Sequence, residues 1–315
     1  MGDPLPSATD RHRNLLLLLL LGLIWGSAYP VIRYGILAGA TPIAFAATRY
    51  AFSALGFALI AALTRLPRPG ARALGLSALL GLPIVGVYGL LLYVGEQSTT
   101  GGLAAILIGT TPLLTTLFAL PVLRSESLNR LGYVGLAAGF VGVVVLVVPS
   151  TGGALASSIW GPLAVLGAST SFAAGSVLLR ARRPEGETLW GISVQFAVAT
   201  VFLVAVMPLL EPRSALPLTH GVLLSVAYLV VFPSLAGYTL YFYLHHHVGP
   251  GQANVVAYVN PAAALTIGTL LFGEAFAWWE LAGFALVLLG LTFVTQYGRR
   301  TGPADAAPPR PSEHR

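Results

Sequence analysis

The sequence predicts an all-α integral membrane protein whose ten transmembrane helices form two inverted five-helix repeats. Three observations predict it. The 315 residues are 56 % hydrophobic and 9 % charged, with a mean hydropathy of +0.81, whereas an average soluble domain is roughly a quarter charged. Ten apolar stretches occur, at 14–36, 41–63, 73–94, 102–123, 130–148, 159–180, 188–210, 221–244, 252–272 and 277–297. Each is long enough to cross ~30 Å of hydrocarbon at ~1.5 Å per residue. Marked residues in 14–148 recur in 159–297 at a nearly constant offset.

The polar start, residues 1–13, reads as a cytoplasmic tail. The first stretch opens "RHRNLLLLLLLGLIWG", a basic and leucine-rich layout shared with secretory signals. Its A-x-A, Ala38 to Ala40, lies beyond Trp25, Tyr29 and Arg33, too far from the leucines for cleavage, so the stretch is kept as a helix. Gly22-x3-Gly26 suits close helix contact. Arg33 lies near the interface and is read as snorkelling.

The second stretch carries Arg49 eight residues in, about 12 Å from its end. A guanidinium near the bilayer centre costs ~2.5–3.5 kcal/mol on insertion scales. Arg49 therefore faces the bundle, toward Glu96 or a cargo carboxylate, or else snorkels outward. The third stretch contributes Tyr88. The fourth holds Thr110-Thr111-Pro112 at its middle. Proline removes a backbone donor and frees a carbonyl about one turn upstream, and in lipid that carbonyl must face protein or a wet cavity. The fifth adds Gly135-x3-Gly139, another close-contact pair.

The sixth and seventh stretches begin the second repeat. The eighth places Ser234, Tyr238, Tyr241 and His245 on one helical face. Tyr34, Tyr243 and Tyr297 read instead as interfacial belt residues. "HHH" at 245–247 resembles a metal site, but successive helical side chains point about 100° apart, so no metal is expected there. The ninth runs Asn254, Tyr258, Pro261 in helical rhythm, with Asn260 preceding the proline. The tenth leads into a Pro- and Ala-rich tail, 298–315, expected to be a disordered cytoplasmic segment.

The repeat rests on specific matches. Arg33 and Arg180, like Thr41 and Thr188, are 147 apart; Tyr88 and Tyr238, and Tyr93 and Tyr243, 150; Pro112 and Pro261, 149. Glu126, Gly135 and Gly142 meet Glu274, Gly283 and Gly290 at 148. Five spans per half is an odd number, so the second half enters from the opposite side. Two polar-proline kinks, at Pro112 and Pro261, then mark a midplane binding site.

The net charge of +6 and pI near 9.8 come entirely from 17 arginines, with no lysine. With a cytoplasmic N-terminus, fourteen of them fall on one side, and only Arg33 and Arg213 opposite, Arg49 lying within the membrane. This is a positive-inside pattern placing both termini in the cytoplasm, and no nucleic-acid partner is needed to explain the basicity. The absence of cysteine excludes disulfides and cysteine metal sites.

The chain resembles the ten-helix EamA-type carriers of the drug/metabolite transporter superfamily over about residues 14–297. The resemblance rests on "LIWGSAYPVIRYGI", "AATRYAFSAL", "GGLAAILIGTTPLLTTLFALPVL" and "GQANVVAYVNPAAALTIGTLLFGEAFAWWELAG", with "VLRSE" departing from the usual Leu-Gly-Glu turn. It implies two five-helix repeats, a central cavity and export of small metabolites such as amino acids.

Absences narrow the chemistry. Without lysine there is no Walker A motif, so ATP is not a direct energy source. All aspartates lie in the tails and all glutamates in loops, tails or near helix ends, leaving no mid-membrane acid for proton or sodium coupling. No paired intramembrane aspartates and no His-Glu-x-x-His occur, which argues against a membrane-embedded enzyme. The composition, arginine without lysine and rich in Ala, Gly and Pro, suggests a GC-rich bacterial genome.

The expectation is a secondary carrier of the bacterial inner membrane, embedded in the lipid bilayer and needing no cofactor. It exports a small neutral or zwitterionic substrate by alternating access, with a channel or uptake carrier of the same fold as the alternative. The expected site residues are Arg49, Tyr88, Thr111, Tyr238, Tyr241, Tyr258 and Asn260. The sequence assigns no oligomeric state.

Overall fold

The computed structural model describes residues 8–123, 127–147, 159–182, 188–247 and 250–298. Glu126, most of both tails and the side chains of Asn254 and His245 to His247 lie outside the described residues. The helices are α1 His12–Leu37, α2 Pro42–Leu63, α3 Ala71–Gly95, α4 Gly101–Val122 and α5 Arg130–Val147. The second half comprises α6 Trp160–Arg182, α7 Leu189–Leu210, α8 His220–Leu244, α9 Pro250–Phe272 and α10 Trp278–Tyr297. Helical backbone begins at Ala8, ahead of the apolar run that marks α1.

Hydrocarbon leaves the backbone no partner but itself, so these apolar runs are helical. Their first turns still need acceptors. Thr100, Thr188 and Thr219 supply them locally, taking the N–H of Leu103, Gly191 and Val222. Two helix starts, those of α2 and α4, are also capped from the opposite half. Glu211, after α7, accepts from Ile43 and Ala44 of α2 at 3.0 and 3.2 Å. Glu274, after α9, accepts from Gly101 and Gly102 of α4 at the same two distances. Carboxylates at N-terminal dipoles are favourable, so the second half braces the first.

The halves are inverted. Arg33, near the end of α1, reaches the chain at Glu96 and Gln97, and Gly161, at the start of α6, packs on Ser98 and Thr99 of the same connection. Contacts exchange under a swap of halves: α2 meets α7 and α5 meets α10 across the centre, while α1–α9 is matched by α6–α4 and α3–α6 by α8–α1.

Small residues set these approaches. A Cβ on Gly142 would stand 2.8 Å from the Gly283 carbonyl and 2.9 Å from the Val287 nitrogen. The α5–α10 seam is thus backbone against backbone, the close packing that replaces hydrophobic drive inside lipid. Gly26 meets Asn260 and Ala263 of α9 in the same manner.

Several helices are interrupted. α1 turns at Ser27, and α4 breaks at Gly109–Thr110, immediately before Thr111-Pro112. α9 runs through Pro261 without interruption. α3 and α8 each contain a π-helical turn, Leu82–Val87 and Val230–Ala236. Each turn holds a proline, Pro83 and Pro233, separated by the same 150 residues as Tyr88 and Tyr238. The carbonyl of each proline is taken by the first helix of the other half. Ser171 of α6 donates to Pro83 at 2.8 Å, and the Trp25 indole of α1 to Pro233 at 3.1 Å.

Arg33 corrects one expectation. It does not snorkel but is 8 % exposed, its Nη1 donating to the carbonyls of Glu96 and Gln97 at 2.5 and 2.6 Å. The end of α3 offers it two orphan acceptors, which hold it better than water at the rim would.

Candidate functional site

Arg49 of α2 is 9 % exposed and reaches across the bundle. Its Nη1 donates to the Tyr93 hydroxyl of α3 at 3.1 Å, and its Nε and Nη2 to the Ser234 hydroxyl of α8 at 3.4 Å. The guanidinium carbon lies 5.7 Å from the Tyr50 ring centre, within cation–π range. Every one of these partners is neutral, and among the described residues no carboxylate forms an ion pair with Arg49.

Rings wall this cation. Tyr93 stands edge-on to Phe45 and Tyr50, and Phe196 of α7 joins Tyr50, Phe57 and Tyr238 at centroid separations of 5.2 to 5.8 Å. Trp25 closes the α1 side against Tyr238 and Tyr241. Edge-to-face contacts of this kind are rigid and low in side-chain entropy. Tyr88 and Tyr238 are also within electrostatic reach of Arg49.

A second polar point lies on the α1–α9 face. The Tyr29 hydroxyl faces Tyr88, Asn260 and Arg49. Asn260 Oδ1 is buried and accepts no hydrogen bond. Such an orphan costs about 1–3 kcal/mol, so the position is poised for a donor. Arg49, Tyr88, Tyr238 and Asn260 are therefore brought together, with Tyr29 between them.

The other expected residues stand apart. Thr111 binds Ser169 of α6 at 2.8 Å and the Ile108 carbonyl, bracing the α4 break. Tyr258 shares a 3.3 Å contact with Thr292 of α10. Tyr241 is 40 % exposed and packs against the Trp25 ring, while Ser234 lies within the π turn that precedes it, off the regular helix that carries Tyr238 and Tyr241. Tyr34, Tyr243 and Tyr297 are exposed at helix ends.

Tyr29, Tyr50, Tyr93 and Phe196 were not among the expected site residues. Tyr50 adjoins Arg49, and Pro-x4-Tyr occurs at Pro83-Tyr88 and Pro233-Tyr238, so part of the signal was present in the sequence.

The EamA-like transporter family matches this chain twice, over residues 12–148 and 159–296. The chain belongs to the EamA-like transporter family. Among the relatives of this EamA-type chain is the inner membrane transporter YedA of Escherichia coli K12, 35 % identical over 90 % of this chain and 92 % of its own length. The transporter YvbV of Bacillus subtilis is 28 % identical, again over 90 % of this chain and 92 % of its own length. A probable terminal-alkyne amino-acid exporter of Streptantibioticus cattleyicolor is 27 % identical over 88 % of this chain and 92 % of its own. A solved crystal structure with 20 % identity superposes with a TM-score of 0.60, covering 90 % of this chain and 96 % of that one. That likeness bears on the fold. The chain is a transporter built from two EamA-type halves.

Proposed function

We propose that this EamA-type transporter is an inner-membrane secondary carrier exporting small zwitterions of amino-acid type by alternating access. The observation that carries the reading is Arg49, a buried guanidinium held only by hydroxyls and rings. A buried charge without a counter-charge is costly, and its fork is shaped for a carboxylate. The cargo carboxylate is the natural counter-charge. Its ammonium group would donate to Asn260 Oδ1, the acceptor left open across Tyr29.

The amino-acid exporter from Streptantibioticus supports the cargo class and the direction, and the inner-membrane transporter of Escherichia coli supports the location. Catalysis finds no support in the site, where the hydrogen-bond partners of Arg49 are the hydroxyls of Tyr93 and Ser234.

The test is extracellular metabolite profiling of cells expressing wild type, Arg49→Gln or empty vector at matched membrane levels. An amino-acid-type compound should accumulate outside with wild type alone. No accumulation with wild type overturns export; equal accumulation with Arg49→Gln overturns the carboxylate anchor.

A further inference from the structure

Glu96 follows the last residue of α3 and is 0 % exposed, with neither carboxyl oxygen accepting a hydrogen bond. Arg33 is the nearest candidate partner, yet it donates to the main-chain carbonyls of Glu96 and Gln97 and leaves the carboxyl unserved. The groups that face Glu96 electrostatically are Arg33 and Tyr29 from α1, Arg49 from α2, Tyr93 from its own helix and Glu274 from the α9–α10 connection. The last of these is the carboxylate that caps α4 at this end of the bundle. Glu211 caps α2 at the same end.

An ionised carboxylate with no donor in a dry interior costs several kcal/mol. A sodium ion would require several converging oxygens, and the neighbouring carbonyls of Glu96 and Gln97 already face the Arg33 guanidinium, whose charge disfavours a metal cation there. A proton needs only the carboxyl itself. We propose that Glu96 is a proton-binding site whose protonation holds this end of the carrier closed, so that opening releases the proton to water. The chemistry is one O–H bond, formed from hydronium and broken to water, with no other reactant.

The sign follows from burial. Burial, and then Glu274, push the carboxyl well above the ordinary glutamate range in the closed state, while Arg33 and Arg49 oppose them. Once the end opens and Glu96 hydrates, its affinity for the proton falls toward the usual value of about 4.3. Below that value both states are protonated and pH has no leverage. Above it, each pH unit favours opening by about tenfold, until the raised closed-state value is passed. Closure is thus complete at low pH and lost as pH rises.

The inference rests on the carrier reading but not on the cargo. It is tested by hydrogen exchange of the protein in lipid nanodiscs, in mildly acidic and mildly alkaline buffer, corrected for intrinsic exchange. Wild-type segments 95–102 and 211–217 should open roughly tenfold more per pH unit, and Glu96→Gln, which mimics the protonated acid, should stay closed at both. Glu96→Asp, which still titrates, should keep the response and so separates titration from misfolding. A pH response equal in wild type and Glu96→Gln, or absent from wild type, overturns the proposal. Counterflow of leucine in proteoliposomes separates the two readings: its absence in wild type removes the amino-acid cargo, while the exchange data still decide the proton site.

Discussion

Arg49 donates to Tyr93 and Ser234 and lies against Tyr50, so its charge is solvated but not balanced. Lysine there would keep the charge and lose the planar fork. Arg49→Lys is expected to weaken cargo binding at least tenfold, about 1.4 kcal/mol, at unchanged membrane yield, as read by ligand-induced thermal shift. Asn260 separates recognition from packing. Replacing its orphan oxygen by Asn260→Leu relieves a cost of about 1–3 kcal/mol, so thermal stability should hold or rise while cargo binding falls. A variant that loses both would show Asn260 to be a packing residue. Arg33 has the opposite character, since it spends its donors on two main-chain carbonyls. Arg33→Gln should lower unfolding stability by about 1.5–3 kcal/mol per charged bond lost, measured in one detergent at one salt concentration. Burial of Arg33 was not legible from its place in the sequence, because its partners are carbonyls that every residue possesses.

At the scale of elements, the halves meet where side chains vanish. The α5–α10 seam brings Gly142 and Gly283 to backbone distance, whereas a methyl group added at Gly75 of α3 would meet nothing within 4 Å. Gly142→Leu should abolish the folded-protein peak in size-exclusion chromatography, and Gly75→Ala should be neutral or stabilising by about 0.5–1 kcal/mol. The Gly-x3-Gly pairs and the helix spans were legible, because hydropathy and small-residue spacing are local properties. The π turns at Pro83 and Pro233 were not expected, although both prolines are visible. A proline breaks one hydrogen bond wherever it stands, and how the helix absorbs the loss depends on the tertiary contacts around it. At Pro83 and Pro233 the proline's own carbonyl also finds a donor in the other half, Ser171 and Trp25 respectively. At Pro261 the helix simply continues.

For the whole molecule, the arginine asymmetry predicts both termini in the cytoplasm. The natural chain has no cysteine, so single-cysteine variants can map it without background. Cysteine at Arg213 should react with an impermeant maleimide in intact spheroplasts, and cysteine at Arg68 only after lysis; the reverse pattern would invert the topology. The membrane class, the helix spans, the duplication and its inversion all follow from the sequence, because each is set by local hydropathy or by parity. The gathering of Arg49, Tyr88, Tyr238 and Asn260 around Tyr29, and the burial of Glu96 without a partner, belong to the tertiary structure alone. In an apolar chain a polar residue announces only that it needs a partner, and which partner it finds depends on helix rotations and crossings that packing decides.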